Sequence, residues 1–369
     1  MTYNWQLKNW PKFEYEANVI DHIAFEFAEK TGEVKGLIDS LPTDFQQETI
    51  LQFMIDEAIK TSEIEGEYYS RQDVMSSIKN RLGISGAGQI KDVNARGIAE
   101  LMVEVREHFL SAFTEKLIKD WHSLLFLKSR TIQPGIYRTG KEAMVIVSGG
   151  YGKETIHFEA PASDIVPREM EQFIQWYKSF KVEPKNIKAA LIKTAIAHLY
   201  FETIHPFEDG NGRIGRAIAE KCLSESLGRP LVMSLSTTIE QNKKAYYDAL
   251  KNAQRSLEIT DWIIYFCNTI LEAQRNADQL IRFTLEKAKF LDLNRDQLND
   301  RQLKVVLKML DRGVDGFEGG MSAKKYMSIT KSSKATATRD LQDLVQKEIF
   351  VSIGSGRSVH YNLSVKTSK

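Results

Sequence analysis

The 369-residue sequence has only two cysteines, no long hydrophobic run, no signal-like beginning and almost no net charge. Each absence excludes a class of function. Cys222 and Cys267 both fall on apolar faces of helix-patterned segments, which argues against a disulfide framework or a cysteine metal site and suits buried thiols in a reducing compartment. No stretch approaches the roughly 20 apolar residues of a membrane-spanning helix. The opening Met-Thr-Tyr-Asn-Trp lacks the basic-then-apolar order of a secretory signal, so a cytoplasmic protein with no membrane partner is expected. A net charge of +1 supplies no global field for nucleic acid, and any such binding must be local. What is present, 42% hydrophobic and 27% charged residues, describes a globular chain long enough for two or three domains.

The chemistry concentrates in residues 205–216, His-Pro-Phe-Glu-Asp-Gly-Asn-Gly-Arg-Ile-Gly-Arg. Gly210, Asn211 and Gly212 tolerate left-handed or otherwise unusual backbone angles, so their successive N–H groups can turn inward as a concave anion nest. The nest opens into a helix: residues 213–227 carry Ile214, Ala217, Ile218 and Cys222 at helical spacing and stop at Gly228, with Pro230 beyond. A helix N-terminus adds partial positive charge. Arg213 and Arg216, three apart, add two full charges on the same face. The expected guest is a polyphosphate. Asp209 beside the nest is a hard oxygen ligand of the kind that holds Mg²⁺ together with phosphates and waters, with Glu208 the weaker candidate. His205 can take a proton from an attacking hydroxyl at neutral pH. Pro206 and Phe207 are expected to fix and anchor the loop. The bland alternative is a glycine-rich loop with solvated arginines, but base, metal ligand, nest and two arginines converge without waste.

The stretch resembles, without a mismatch, the signature of the Fic family of nucleotidyl transferases, His-Pro-Phe-x-Asp/Glu-Gly-Asn-Gly-Arg-x-x-Arg. The resemblance implies transfer of AMP from ATP to a Ser, Thr or Tyr hydroxyl of a protein, with pyrophosphate leaving. By position, His205 is then the base, Asp209 the Mg²⁺ ligand, residues 210–212 the anion hole, Arg213 the contact to the α/β-phosphates and Arg216 that to the γ-phosphate. The lead-in residues 198–204 also fit the family, with His198 read as a core histidine.

The implied fold is mainly α: a Fic helical core with a β-hairpin flap, a helical N-terminal part and a C-terminal winged helix-turn-helix. The expected domains are residues 1–90, 91–293 and 294–369. In the first, Trp5, Trp10, Phe13 and Tyr15 look like packing anchors, and a helix through Ile20, Ile23, Ala24, Phe27 and Ala28 is expected to end near Gly32. A second helix, residues 45–60, runs into Thr61-Ser-Glu-Ile-Glu65-Gly66. Alone this is an acidic helix end. Beside the core signature it fits the family's inhibitory pattern Ser/Thr-x-x-x-Glu-Gly/Asn, which implies that Glu65 pairs with Arg216 in the space of the γ-phosphate. A carboxylate and an arginine form a bidentate pair of fixed geometry, so an engaged Glu65 removes the arginine that ATP needs.

Residues 83–88 are glycine-rich and read as a loop. Amphipathic helices are expected over 94–113 and 114–127, the second capped by Thr114. In residues 144–158, two β-prone runs around Gly149-Gly-Tyr-Gly152 make a hairpin. The resemblance implies that this flap holds a target protein segment as an added strand beside His205, self-modification included; a merely structural hairpin is the alternative. Further on, Tyr247 and Gln254 become, by resemblance, candidates for the adenine pocket, although tyrosines at a helix start are usually core. A helix over 260–293 then leads away.

From Asp300 onward 13 basic residues face 7 acidic ones, a local basic field of the kind phosphate backbones select. Helices over 301–310, 322–327 and 334–346, then a hairpin around 353–356, follow the order of a winged helix-turn-helix, with residues 333–346 as recognition helix and Arg357 near the wing tip. Such modules also serve protein interaction, so DNA is one of two partners open here. Two functions follow: a protein adenylyltransferase using ATP and Mg²⁺ and self-inhibited by Glu65, or a nucleotide-sensing DNA-binding transcription regulator. The complete catalytic set favours the first. Within it, the intact glycines and arginines favour AMP transfer over phosphocholine transfer or the kinase-like Doc relatives, with removal of AMP assisted by Glu65 left open.

Overall fold

The computed structural model describes residues 2–140, 144–148, 155–311 and 317–364, with the backbone alone at 146–148, 155–157 and 357. Two compact units emerge, one of residues 1–32 and 50–275 and the other of 33–49 and 276–369. The chain is mainly helical, as expected, with short antiparallel hairpins.

In sequence order the helices are α1 Asp21–Ser40, α2 Thr43–Ile64, α3 Arg71–Arg81, α4 Val93–Glu107, α5 Glu115–Leu125, α6 Val166–Ser179, α7 Ile187–Ile204, α8 Asn211–Leu227, α9 Leu235–Gln241, α10 Lys243–Ala253 and α11 Thr260–Asn294. The first unit is built around α7 and α8. From Ala190 to Ile204 every residue of α7 is buried, the mark of a helix enclosed on all sides. It is capped where Asn186 accepts from the Ala189 N–H at 3.0 Å. Helix α8 ends where Gly228, at φ 68°, turns left-handed and the Gly228 and Arg229 N–H groups close back on Glu225 and Ser224, a glycine stop that satisfies the last carbonyls. Ile98, Leu101, Trp121, Phe173, Phe201, Ile204, Phe207 and Ile218 form a continuous core across α4 to α8. Helices α4 and α5 cross so closely that Gly97 has no room for a Cβ against the Leu124 carbonyl.

Two helix ends differ from the sequence reading by six residues or more, and α2 runs on to Ile64, past the expected end at Lys60, so that Thr61 lies within it. Helix α1 continues through Gly32 to Ser40 because buried Val34 and Ile38 carry its apolar face onward. Helix α4 stops at Glu107, six residues short of Phe113, which leaves the helix to stack on Tyr177 at 3.9 Å. Thr114 caps α5 by accepting from Leu117 N–H at 3.1 Å.

Strands β1 Val145–Ser148 and β2 Thr155–Glu159 pair antiparallel with a bulge after Ile146; the turn at Gly149-Gly-Tyr-Gly152 lies outside the described residues. The base of this hairpin is held by the N-terminus. Trp5 Nε1 donates to the Glu159 carbonyl at 2.8 Å, and the Tyr3 ring meets Phe158 edge-on at 5.0 Å.

In the second unit, α12 Asp300–Leu310, α13 Ala323–Thr330 and α14 Lys334–Gln346 precede an antiparallel hairpin of β3 Phe350–Ile353 and β4 His360–Leu363. Ser322 and Ser333 cap α13 and α14. Val305, Val306, Tyr326, Leu341, Leu344 and Phe350 form the core. Buried Asp340 accepts from Arg301 Nε at 2.8 Å and the Tyr326 hydroxyl at 2.9 Å. Arg357, expected near the wing tip, has no described side chain.

Candidate active site

The turn between α7 and α8 brings His205, Gly212 and Arg216 to the wall of a cavity of about 660 Å³. His205 caps α7 in the left-handed region, φ 49° and ψ 61°, a conformation that costs a non-glycine residue roughly 1–2 kcal/mol. Arg138, which the sequence reading missed, holds it there. Its Nε donates to the His205 carbonyl at 2.8 Å, its Nη2 to those of Ile204 at 3.2 Å and Pro161 at 2.5 Å, and its Nη1 to Ser163 Oγ at 2.9 Å. Burial pushes the Arg138 guanidinium down to about 10. We expect Arg138→Met to lower stability by on the order of 3 kcal/mol, because the carbonyls of the turn lose their donors. Thermal unfolding measures this, and a variant as stable as wild type would show that the clasp is dispensable.

Burial, reinforced by the Arg138 charge, pushes the His205 pKa down to about 4, so the ring is neutral at physiological pH. Its Nδ1 lies 3.8 Å from Glu202 Oε2. Burial, with the Glu65 charge nearby, pushes Glu202 up to about 8, so this carboxyl is mostly protonated at pH 7. It rests on Gly215, where any Cβ would collide with it. His198 is a core histidine, fully buried and bonded through Nε2 to the Tyr246 hydroxyl at 2.8 Å.

The nest is narrower than the sequence implied. Only Gly210 is left-handed, φ 82°, while Asn211 and Gly212 already belong to the first turn of α8. Asn211 uses its side chain to close the loop, accepting from the Phe207 N–H at 2.9 Å and donating to the Phe207 carbonyl at 2.8 Å. A second clasp was also missed. His122 stacks on Phe207 at 3.9 Å, accepts from the Gly135 N–H at Nδ1 (2.9 Å), and so carries its proton on Nε2, 3.2 Å from the Asp209 carbonyl. Nothing local in the sequence marks His122 or Arg138, because the loop residues they hold, Ile204, His205 and Asp209, lie 66 or more residues away.

The two arginines are buried and both engaged by the end of α2. Arg216 donates from Nη2 to Glu65 Oε1 at 2.7 Å and to the Thr61 carbonyl at 2.8 Å, and from Nε to the Thr61 hydroxyl at 2.7 Å. The Glu65 carboxylate also covers Gly212 so closely that no Cβ would fit, which puts a negative group over the first turn of α8. Burial acts to raise the Glu65 pKa, but the Arg216 charge and hydrogen bond outweigh it and hold it below the usual range. Arg213 pairs with Glu67 Oε2 at 2.5 Å and Asp209 Oδ1 at 3.3 Å. Glu67 in turn accepts from the Tyr69 hydroxyl. Neither Glu67 nor Tyr69 was singled out from sequence.

Asp209 sits at the loop tip with half its carboxylate exposed and Oδ1 accepting from the Gly210 N–H. One hard ligand beside a helix start and Arg213 is a donor set that would suit Mg²⁺ if phosphates and waters supplied its other positions; among the described residues no cluster of three His, Cys, Asp or Glu side chains could hold a metal unaided. Tyr247 is partly exposed along the cavity wall, and buried Gln254, also in the wall, donates to the Glu202 carbonyl at 3.3 Å.

Residues 112–223 match the Fic/DOC family and residues 3–84 a domain of unknown function, DUF4172. A probable protein adenylyltransferase of Aquifex aeolicus (strain VF5) is 31% identical over 97 residues, which span 26% of this chain and 27% of that protein. A Fic family protein from Desulfovibrio desulfuricans G20 superposes with a TM-score of 0.56 at 20% identity, covering 96% of this chain and 98% of the other. A Fic domain containing signaling protein from Bacteroides thetaiotaomicron VPI-5482 gives 0.52 at 18% identity, with 72% and 97% covered. At these identities the structural likenesses establish the fold. No helix among the described residues is long and apolar enough to cross a membrane.

Proposed function

We propose that this chain, which carries a Fic/DOC domain, is a protein adenylyltransferase that transfers AMP from ATP to a protein hydroxyl and is held in check by its own Glu65. The observation that carries the reading is the convergence on one cavity of a neutral buried histidine, the first turn of α8 at Gly212 and the buried Arg216. The curated relative's name points the same way.

ATP would place its phosphates over the first turn of α8, where N–H groups and helix dipole favour negative charge. Arg213 and Arg216 would hold the α/β- and γ-phosphates once Glu67 and Glu65 move aside. Asp209 would hold Mg²⁺, which supplies charge neutralisation on the phosphates when bound. Tyr247 and Gln254 would border the adenine. A hydroxyl on a target segment paired with the flap, residues 144–158, attacks the α-phosphorus; the new O–P bond forms as the bond to pyrophosphate breaks. His205 takes the hydroxyl proton at Nε2, since Nδ1 is turned toward Glu202.

The second reading, a nucleotide-sensing DNA regulator, draws on the second unit, where α14 presents exposed Lys334 and Arg339. One experiment separates the two. Incubating the protein with Mg²⁺, a lysate and ATP labelled on the α-phosphate should leave label on a protein side chain, the chain's own included, and release pyrophosphate. Bound ATP without either product would leave the sensor and refute the transferase.

A further inference from the structure

Away from the active site, the end of α6, the start of α7 and the end of α8 enclose a second cavity of about 750 Å³, within the usual size of ligand pockets. Lysines 178, 181, 185 and 193 line it, and the one acid in its wall is Glu225. Lys178, Lys181 and Lys185 are exposed, and alone they would be solvated surface charge. Lys193 is different. It is only 6% exposed and stands on α7, the most enclosed helix of the unit. Among the described residues its ammonium has no hydrogen-bond or ion-pair partner; it lies 4.2 Å from the centre of the Tyr177 ring, itself stacked on Phe113.

A neighbouring lysine shows what the fold does when a buried ammonium is structural. Lys221 is fully buried, and its Nζ donates to the Phe109 and Ser111 carbonyls at 2.7 Å each and to Glu225 at 3.3 Å. Glu225 also accepts from the Tyr177 hydroxyl at 2.9 Å, so it is already shared by two donors. Burying a charge without a partner is costly, and a cation–π contact with one tyrosine offsets only part of that cost.

We propose that this cavity binds a small phosphate-bearing anion, with Lys193 as the buried anchor and the three exposed lysines gathering charge at the mouth. Lysine is a point-charge partner suited to phosphate, and four ammonium groups against one engaged carboxylate match a dianion. The site is separate from the nucleotide cavity: Lys193 and His205 stand twelve positions apart along α7 and its C-cap, about 18 Å at the helical rise. It is therefore independent of the transferase reading, and its test uses no ATP.

Inorganic phosphate and citrate are titrated into the full chain at constant ionic strength, by calorimetry and by thermal unfolding. Wild type should bind phosphate saturably, with Kd on the order of 1 mM and a matching rise in Tm. Lys193→Met should weaken this binding roughly tenfold or more while raising the Tm of the anion-free protein, since an apolar side chain replaces an unpaired buried charge. Arg216→Ala should leave phosphate binding unchanged. Where Lys193→Met fails to fold, the double variant Lys178→Ala, Lys181→Ala carries the test, with an expected loss of about threefold from weakened attraction at the mouth. Phosphate binding that survives in Lys193→Met, or in the double variant when that one decides, overturns the proposal. So does binding that disappears in Arg216→Ala, which would place it at the nucleotide site, or citrate binding as tight as phosphate.

Discussion

Glu65→Gly should label itself, or an added target, roughly 10- to 100-fold faster than wild type. On the proposed reading the γ-phosphate of ATP competes with the Glu65 carboxylate for one guanidinium, and a hydrogen bond to a charged group contributes about 1.5–3 kcal/mol net, which converts to that range. Removing one member of a buried pair normally strands the other charge. Here the phosphate takes the vacated place, so the cost in stability should shrink when ATP is bound. Glu67→Ala should act in the same direction but less strongly, because Glu67 is the more exposed acid and Arg213 keeps Asp209 as a partner. Arg216→Ala should lose activity, and Glu65→Gly added to it should restore none, because there is no arginine left to release. Self-labelling across these variants decides the matter: equal rates in wild type and Glu65→Gly would make the Glu65–Arg216 pair a structural contact and end the self-inhibition reading.

His205→Ala, made in the Glu65→Gly background where activity is measurable, should cut transfer by about 10²–10⁴-fold, the usual contribution of a positioned base. ATP affinity should change little, since the helix start and the arginines hold the phosphates. Equal losses of binding and transfer would refute that division of labour. The pH profile adds a second check. The base must be neutral to accept a proton, and its pKa is lowered from 6.5 to about 4. Activity should therefore fall as pH drops through about 4, with no limb near 6.5. Loss of Glu65, whose negative charge raises the His205 pKa, cannot move that limb upward. A limb at 6.5 would mean a solvated imidazole.

The loop from His205 to Arg216 and the order of the helices were legible because each is written in short spacings, helical periodicity and glycine stops; the contact between Glu65 and Arg216, 151 residues apart, was implied only by the resemblance. It was silent where contacts join distant parts of the chain. Arg138 and His122 hold the backbone of the loop from 67 and 87 residues away, and nothing in their own neighbourhoods distinguishes them from surface residues. Glu67 escaped for a different reason. It looked like one more charge on an acidic helix end, and only the fold shows that the bend at Gly66, φ 83°, lets a second carboxylate reach a second arginine. The nest was overdrawn because glycine permits unusual angles without requiring them; one left-handed residue sufficed to start α8.

Among the many contacts of the N-terminal stretch, two have opposite consequences on the proposed reading. Glu65 and Glu67 sit on the arginines, while Tyr3 and Trp5 fasten the strand that leads out of the flap hairpin. The proposed brake and the proposed target-binding hairpin thus share one support. A protein shortened from its N-terminus to free the arginines would also lose the fastening of β2, and gain and loss would arrive together in a single assay. Under the self-inhibition proposed above, a partner that pulled on residues 3–84 would face the same arithmetic, and relief would call for Glu65 and Glu67 to move while Tyr3 and Trp5 stay seated.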